Sequence, residues 1–149
     1  MTEIWFYHLT RQPMERVLPP LLEKSLARGW RAVVHTGSEE RLRALDDLLW
    51  TWSDESFLAH GTPHDGDPAM QPVYLTTGGE NPNGAAIRFF VDGSPVVPDP
   101  ACERLILMFD GADEERLTEA RAQWKALKAQ GHALAYWQQN DDGGWEKKA

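Results

Sequence analysis

The sequence predicts an α/β protein, a three-layer sandwich with a largely parallel sheet and helices on both faces. Short apolar, aromatic or β-branched runs alternate with longer segments of helical period, so that the chain opens as β-α-β-α. Its most apolar run, Arg104 to Phe109, is followed by a long helical segment and a further strand-like run. Such alternation is the pattern of parallel strands joined by crossover helices, with the middle of the chain adding an antiparallel edge.

Ile4 to Leu9 (IWFYHL) reads as the first strand. Pro13 suits a first helical turn, Val17, Leu18, Leu21, Leu22 and Leu26 mark one helical face, and Gly29 is a stop signal. Pro19 and Pro20 are expected to delay or bend the start of that helix. Ala32 to Val34 reads as the second strand, after which Thr36-Gly-Ser-Glu39 has the form of a capping box opening a second helix. Leu42, Leu45, Leu48 and Leu49 share one face of it, joined by Trp52 if the helix continues that far, whereas Trp50 projects off the stripe.

Thr51 to Pro72 is rich in Gly, Pro, Asp and Ser and reads as a long loop carrying Phe57 and His60. Val73 to Thr76 and Ala86 to Val91 read as strands joined in a hairpin by the turn-rich GGENPNG, and DGSPVVPDP is a second irregular connection. After the RLILMF strand, Asp110 or Asp113 caps a helix that runs to about Gln130, with Glu114 and Glu115 set against its positive end and Gly131 stopping it. Ala133 to Gln138 is the last expected strand. Residues 1–140 thus read as a single domain and 141–149 as a polar, mobile tail.

A chain of 149 residues with 42% apolar content suits one domain that buries about two thirds of its unfolded surface without disulfides. Its single cysteine, Cys102, excludes an intramolecular bridge. No run approaches the roughly 20 apolar residues of a membrane span, and MTEIWFYHLT lacks a basic segment leading into an apolar one, so a cytoplasmic protein is expected. Net charge −8 disfavours an extended contact with nucleic acid but leaves room for a small basic patch that binds a small acidic partner.

The motifs that would announce catalysis are missing. Neither a P-loop nor a G-x-G-x-x-G follows the first strand, whose turn, TRQP, offers no glycine to approach a phosphate. HGTPHDGD, from His60 to Asp67, holds two histidines and two aspartates, yet Gly61, Pro63 and Gly66 prevent the helix that would aim both rings at a metal, and a solvated loop is the better reading. Cys102 reads as a small residue entering a strand, and no G-x-S-x-G elbow organises a serine nucleophile. No cofactor is expected, and nothing demands an enzyme.

The aromatic residues carry more. Trp50 either packs beneath the following loop with Phe57 or forms an exposed wall for a partner's apolar side chain. In ARAQWKALKAQG, residues 120 to 131, Arg121, Lys125 and Lys128 fall within one narrow arc of a helix. Leu117, Ala120 and Leu127 mark its core side, and Trp124 lies between that side and the cations, in a core or a contact role. An apolar slot rimmed by cations suits a peptide with acidic residues and an aromatic end. The same residue types also form stacking platforms for single-stranded nucleic acid, a second reading that the acidic balance of the chain counts against.

Residues 31 to 61, RAVVHTGSEERLRALDDLLWTWSDESFLAHG, resemble the chi subunit of bacterial DNA polymerase III, with LDDLLW followed by ESFLAH as the specific core. IWFYHL, QPVYLTT and ERLILMFDG before the RAQWKALKAQG helix fit in the same order. The resemblance implies a non-enzymatic adaptor with a Rossmann-like fold and no nucleotide. It implies binding of the acidic, Phe-ended carboxy-terminal tail of the single-stranded DNA-binding protein, and a link to the clamp loader through a psi subunit or a substitute. DNA would then be met only indirectly. By this resemblance the tail-binding residues are Arg121, Trp124, Lys125 and Lys128, with Trp50 and Phe57 as the aromatic side of the pocket.

Overall fold

The computed structural model describes residues 2–52, 58–142 and 144–149. In chain order they form β1 (Glu3–Leu9), α1 (Met14–Ala27), β2 (Ala32–His35), α2 (Glu39–Trp50), β3 (His60–Gly61), a 3-10 turn (Pro68–Met70), β4 (Val73–Thr76), β5 (Ile87–Phe90), β6 (Arg104–Asp110), α3 (Glu114–Ala129), β7 (Ala133–Gln139) and β8 (Trp145–Lys147). The strands make one sheet in the order β3-β4-β2-β5-β6-β1-β7-β8. Every pair is parallel except β7 with β8.

Side-chain alternation along the strands separates two cores. Tyr7, Leu9, Val34, Leu75, Phe89 and Ile106 face α1 and α2, which close that layer with Val17, Leu18, Leu22, Leu42, Leu45 and Leu49. Ile4, Phe6, Phe90, Leu105, Leu107 and Phe109 face the other way and meet Ala120 and Leu127 of α3. The result is the three-layer α/β sandwich that the alternation predicts. No helix among the described residues is long and apolar enough to cross a membrane.

Several local expectations change. Helix α1 is not delayed by its prolines: it starts at Met14 and carries Pro19 and Pro20 inside, forgoing two N–H donors there. The cap of α2 is Ser38, whose hydroxyl accepts from Arg41 N, so Thr36 and Glu39 do not form a capping box. Trp52 lies beyond the end of α2 yet packs on the core, its indole donating to Glu23 at 2.7 Å. The segment expected to be an uninterrupted loop supplies β3, and the one expected to be a polar tail supplies β8.

The expected β4–β5 hairpin is replaced by a crossover. Both strands pair with β2 in parallel, one on each side. With strands only four residues long, about 13 Å, residues 77–86 can return across the sheet without a helix. Buried polar groups hold them there. Asn83 donates to Ala32 O and Gln71 O, while Arg88, 4% exposed, donates to Gly79 O, to Asp99 and to His35 Nε2.

His35 must be neutral for this network. Its Nδ1–H donates to Gly78 O, leaving Nε2 to accept from Arg88. Burial holds the His35 pKa below its ordinary value of 6.5, and Arg88 adds to this against the opposing pull of the Gly78 hydrogen bond and Glu80. The unfolded chain therefore binds this proton first, and stability is fully present above about pH 6.5 and declines as pH falls below it. His8 is shifted in the same direction. Urea midpoints should hold steady from about pH 8 to 7 and fall between about 6.5 and 5, and His35→Gln should flatten part of that slope. Identical slopes in both proteins would contradict the network's dependence on a neutral His35.

Candidate functional site

Helix α3 is well defined by its ends. Asp113 caps it by accepting from Glu115 N and Arg116 N, Glu114 and Glu115 occupy its first turn, and Gly131 leaves it with φ +86°. Leu117, Ala120, Trp124 and Leu127 form its packed stripe, and Arg121, Lys125 and Lys128 are exposed. Trp124 is half-buried: it belongs to the core stripe and borders the cations.

Its ring meets two sheet aromatics edge-on, Phe6 of β1 at 5.3 Å and Tyr136 of β7 at 5.6 Å. Beside it lies a shallow cleft of about 290 Å³, lined by Arg121, Trp124, Tyr136, Lys148 and Ala149. Its lining is mostly apolar and includes two cations, Arg121 and Lys148. The Tyr136 hydroxyl and His8 Nδ1 are joined at 2.8 Å. Burial lowers the His8 pKa, with Arg121 adding and Asp110 opposing, and burial raises that of Tyr136. The pair is thus uncharged at neutral pH, and the positive charge here comes from Arg121 and Lys148. A Cβ on Gly111 would collide with the His8 imidazole, so this glycine is what lets the ring sit against Tyr136.

The structure brings four of the sequence-derived residues together, with Arg121 and Trp124 lining the cleft and Lys125 and Lys128 continuing the same exposed side of α3. Trp50 is not with them. At the end of α2 it is 55% exposed, its ring 4.8 Å from that of His60 in β3. Five strand steps, about 24 Å, separate β3 from β1, and α2 covers the opposite face of the sheet from α3. The single pocket expected from Trp50 and the α3 cations is therefore two separate places. Phe57 lies outside the described residues.

Tyr136 and Lys148 are additions that sequence reading misses. Tyr136 reads as one more strand residue, and Lys148 reads as part of a tail. Only the pairing of β8 with β7 brings them side by side.

Other candidates resolve into structural roles. His60 is buried, bonded to Leu58 O and to Asp46, each at 2.7 Å, rather than solvated, and His64 pairs separately with Glu39. Among the described residues no three His, Cys, Asp or Glu side chains are placed to hold a metal. Burial, with Asp99 adding, pushes the Cys102 thiol up to about 12, so it carries no thiolate at neutral pH. At the carboxyl ends of β1 and β6, where α/β folds commonly bind ligands, the backbone N–H groups of Thr10, Arg11 and Gln12 all donate to Gln139 Oε1. The donors a phosphate would need there are already committed to this buried carboxamide.

Because Trp124 packs on Phe6 and Tyr136 while its neighbouring cations are exposed, the two kinds of residue should separate in stability measurements. Trp124→Ala should cost about 3 kcal/mol in urea unfolding, and Arg121→Ala or Lys125→Ala less than about 0.5 kcal/mol.

The chain is similar to known proteins along its length. The family model described as DNA polymerase III chi subunit, HolC, matches residues 1–135. A protein of Rickettsia prowazekii (strain Madrid E), "Probable DNA polymerase III subunit chi", is 26% identical over 156 residues, covering 100% of this chain and 93% of that protein. With a family match across nine tenths of its residues and β1 to α3 in place, the chain belongs to the DNA polymerase III chi subunit family.

Proposed function

We propose that this chi-family subunit is a non-catalytic adaptor that binds the acidic, Phe-ended carboxy-terminal tail of the single-stranded DNA-binding protein. It would join that protein to the clamp loader of the polymerase III holoenzyme, through a psi subunit or a substitute, as a cytoplasmic component. The observation that carries this reading is the cation line of Arg121, Lys125 and Lys128 beside an aromatic-floored cleft, on a chain of net charge −8. Such a local concentration of positive charge in an acidic protein selects a short anionic partner and repels a long polyanion. A terminal phenyl ring fits against Trp124 and Tyr136, while the carboxylates ahead of it meet the cations.

Direct binding of single-stranded nucleic acid is the weaker reading. A chain of net charge −8 repels a long polyanion wherever it extends beyond the short cation line of α3.

In fluorescence-anisotropy titrations a labelled acidic peptide ending in Asp-Phe should bind, weaken with salt, and lose affinity when the Phe is removed. Arg121→Ala and Lys125→Ala should each cost about 1 kcal/mol, roughly fivefold, whereas Trp50→Ala, across the sheet, should leave affinity unchanged. Unaltered affinity in both cation variants would sink the proposal, and tighter binding of an oligonucleotide than of the peptide would favour the nucleic-acid reading.

A further inference from the structure

We propose that the β7–β8 hairpin is part of the tail receptor, with Lys148 a peptide-binding cation whose availability is set by Glu146. This inference rests on the tail-receptor reading above and adds a site element to it. The family match ends at residue 135, yet three of the five residues lining the cleft, Tyr136, Lys148 and Ala149, lie beyond that point.

The hairpin places its side chains by alternation. Trp145 is opposite Gln139, Glu146 opposite Gln138 and Lys147 opposite Trp137. Trp145 and Lys147 therefore point to the α1/α2 face, and Glu146 and Lys148 to the α3 face. On the first face Trp145 stacks on Tyr7, ring centroids 4.6 Å apart and planes at 22°, which anchors β8 to the core. On the second, the backbone N–H of Lys148 donates to Tyr136 O at 2.7 Å, and Tyr136 N–H donates to Ala149 O at 3.2 Å. The lysine is thus tied by its own backbone to Tyr136, and both line the cleft together with Arg121.

Lys148 already has a carboxylate. Its Nζ lies 3.1 Å from Glu146 Oε2, with both side chains about half exposed. An exposed pair of this kind contributes little to stability, so a ligand carboxylate that also gains Arg121 and an apolar contact can take the place of Glu146. Glu146 then acts as an internal competitor that lowers affinity for any anion unable to use the rest of the cleft.

The test is a double-mutant cycle on the full chain with the same labelled Asp-Phe peptide. Lys148→Ala should weaken binding about fivefold and Glu146→Gln should strengthen it about twofold, and the Glu146 effect should vanish when Lys148 is absent. Lys147→Ala removes the same charge one residue away, on the face beside Trp5 and Trp137, and should change nothing. Equal losses for Lys147→Ala and Lys148→Ala, or a Glu146 effect that persists without Lys148, would reduce the hairpin to a contribution of net charge and overturn the inference. If Arg121→Ala weakens binding while Lys148→Ala does not, the receptor stands and the hairpin's role falls. No binding by the unaltered protein overturns both.

Discussion

The passage of α3 over β1 is the constraint on which the rest of this molecule depends. Strands β6 and β7 both pair with β1 in parallel, one on each side, so the helix joining them has to cross that strand. It does so on the face away from α1 and α2. Trp124, near the middle of the crossing helix, comes down on Phe6 of β1 and Tyr136 of β7 and closes the second core. The edge-on geometry of these rings contributes about 1 kcal/mol per pair beyond the area they bury. One crossing thereby sets the layering, seats the tryptophan, and turns Arg121, Lys125 and Lys128 outward.

Two buried polar side chains complete a sheet whose sequence lacks the usual devices. Gln139, at the end of β7, accepts three consecutive backbone N–H groups from the turn after β1, and Thr10 Oγ1 donates back to Gln139 O. In α/β proteins that bind dinucleotides a glycine-rich turn offers such donors to a phosphate. Here a carboxamide of the same chain satisfies them, which rigidifies the turn and leaves the crevice without its anion site. Arg88 plays a comparable part on the other side of the sheet, where it holds the helix-less crossover between β4 and β5 through Gly79 O, His35 and Asp99. Both side chains keep buried backbone groups paired where secondary structure does not.

The acidity of the chain and the basic side of α3 are complementary features. At physiological salt a charge is felt over about 8 Å, so a partner approaching α3 meets the local cations before the net charge of −8 matters. The neutral His8–Tyr136 pair, close enough to Arg121 to feel its charge, holds the Tyr136 hydroxyl without adding charge of its own. Charge and aromatic surface thus lie side by side on this part of the molecule.

The amino-acid sequence by itself determined the local elements: the periods of α1, α2 and α3, an aspartate cap for α3 at Asp110 or Asp113, the cation arc around Trp124, and the position of Trp50 off the leucine stripe of its helix. These depend on residues within a few positions of one another, whose geometry follows from 3.6 residues per turn. The family resemblance was legible for the same reason, in runs such as LDDLLW. Tertiary structure alone decided what lies next to what. A Gly- and Pro-rich segment has the same composition whether it turns a hairpin or crosses a neighbouring strand, so the separation of β4 from β5 by β2 left no local mark. Trp145–Lys147 is too short to show a period; it pairs with β7 next to it in the chain, and Trp145 stacks on Tyr7, 138 positions away. Strand order then separated Trp50 from Trp124 and joined Tyr136 to Lys148, because distances across a sheet are set by pairing between remote segments and not by spacing along the sequence.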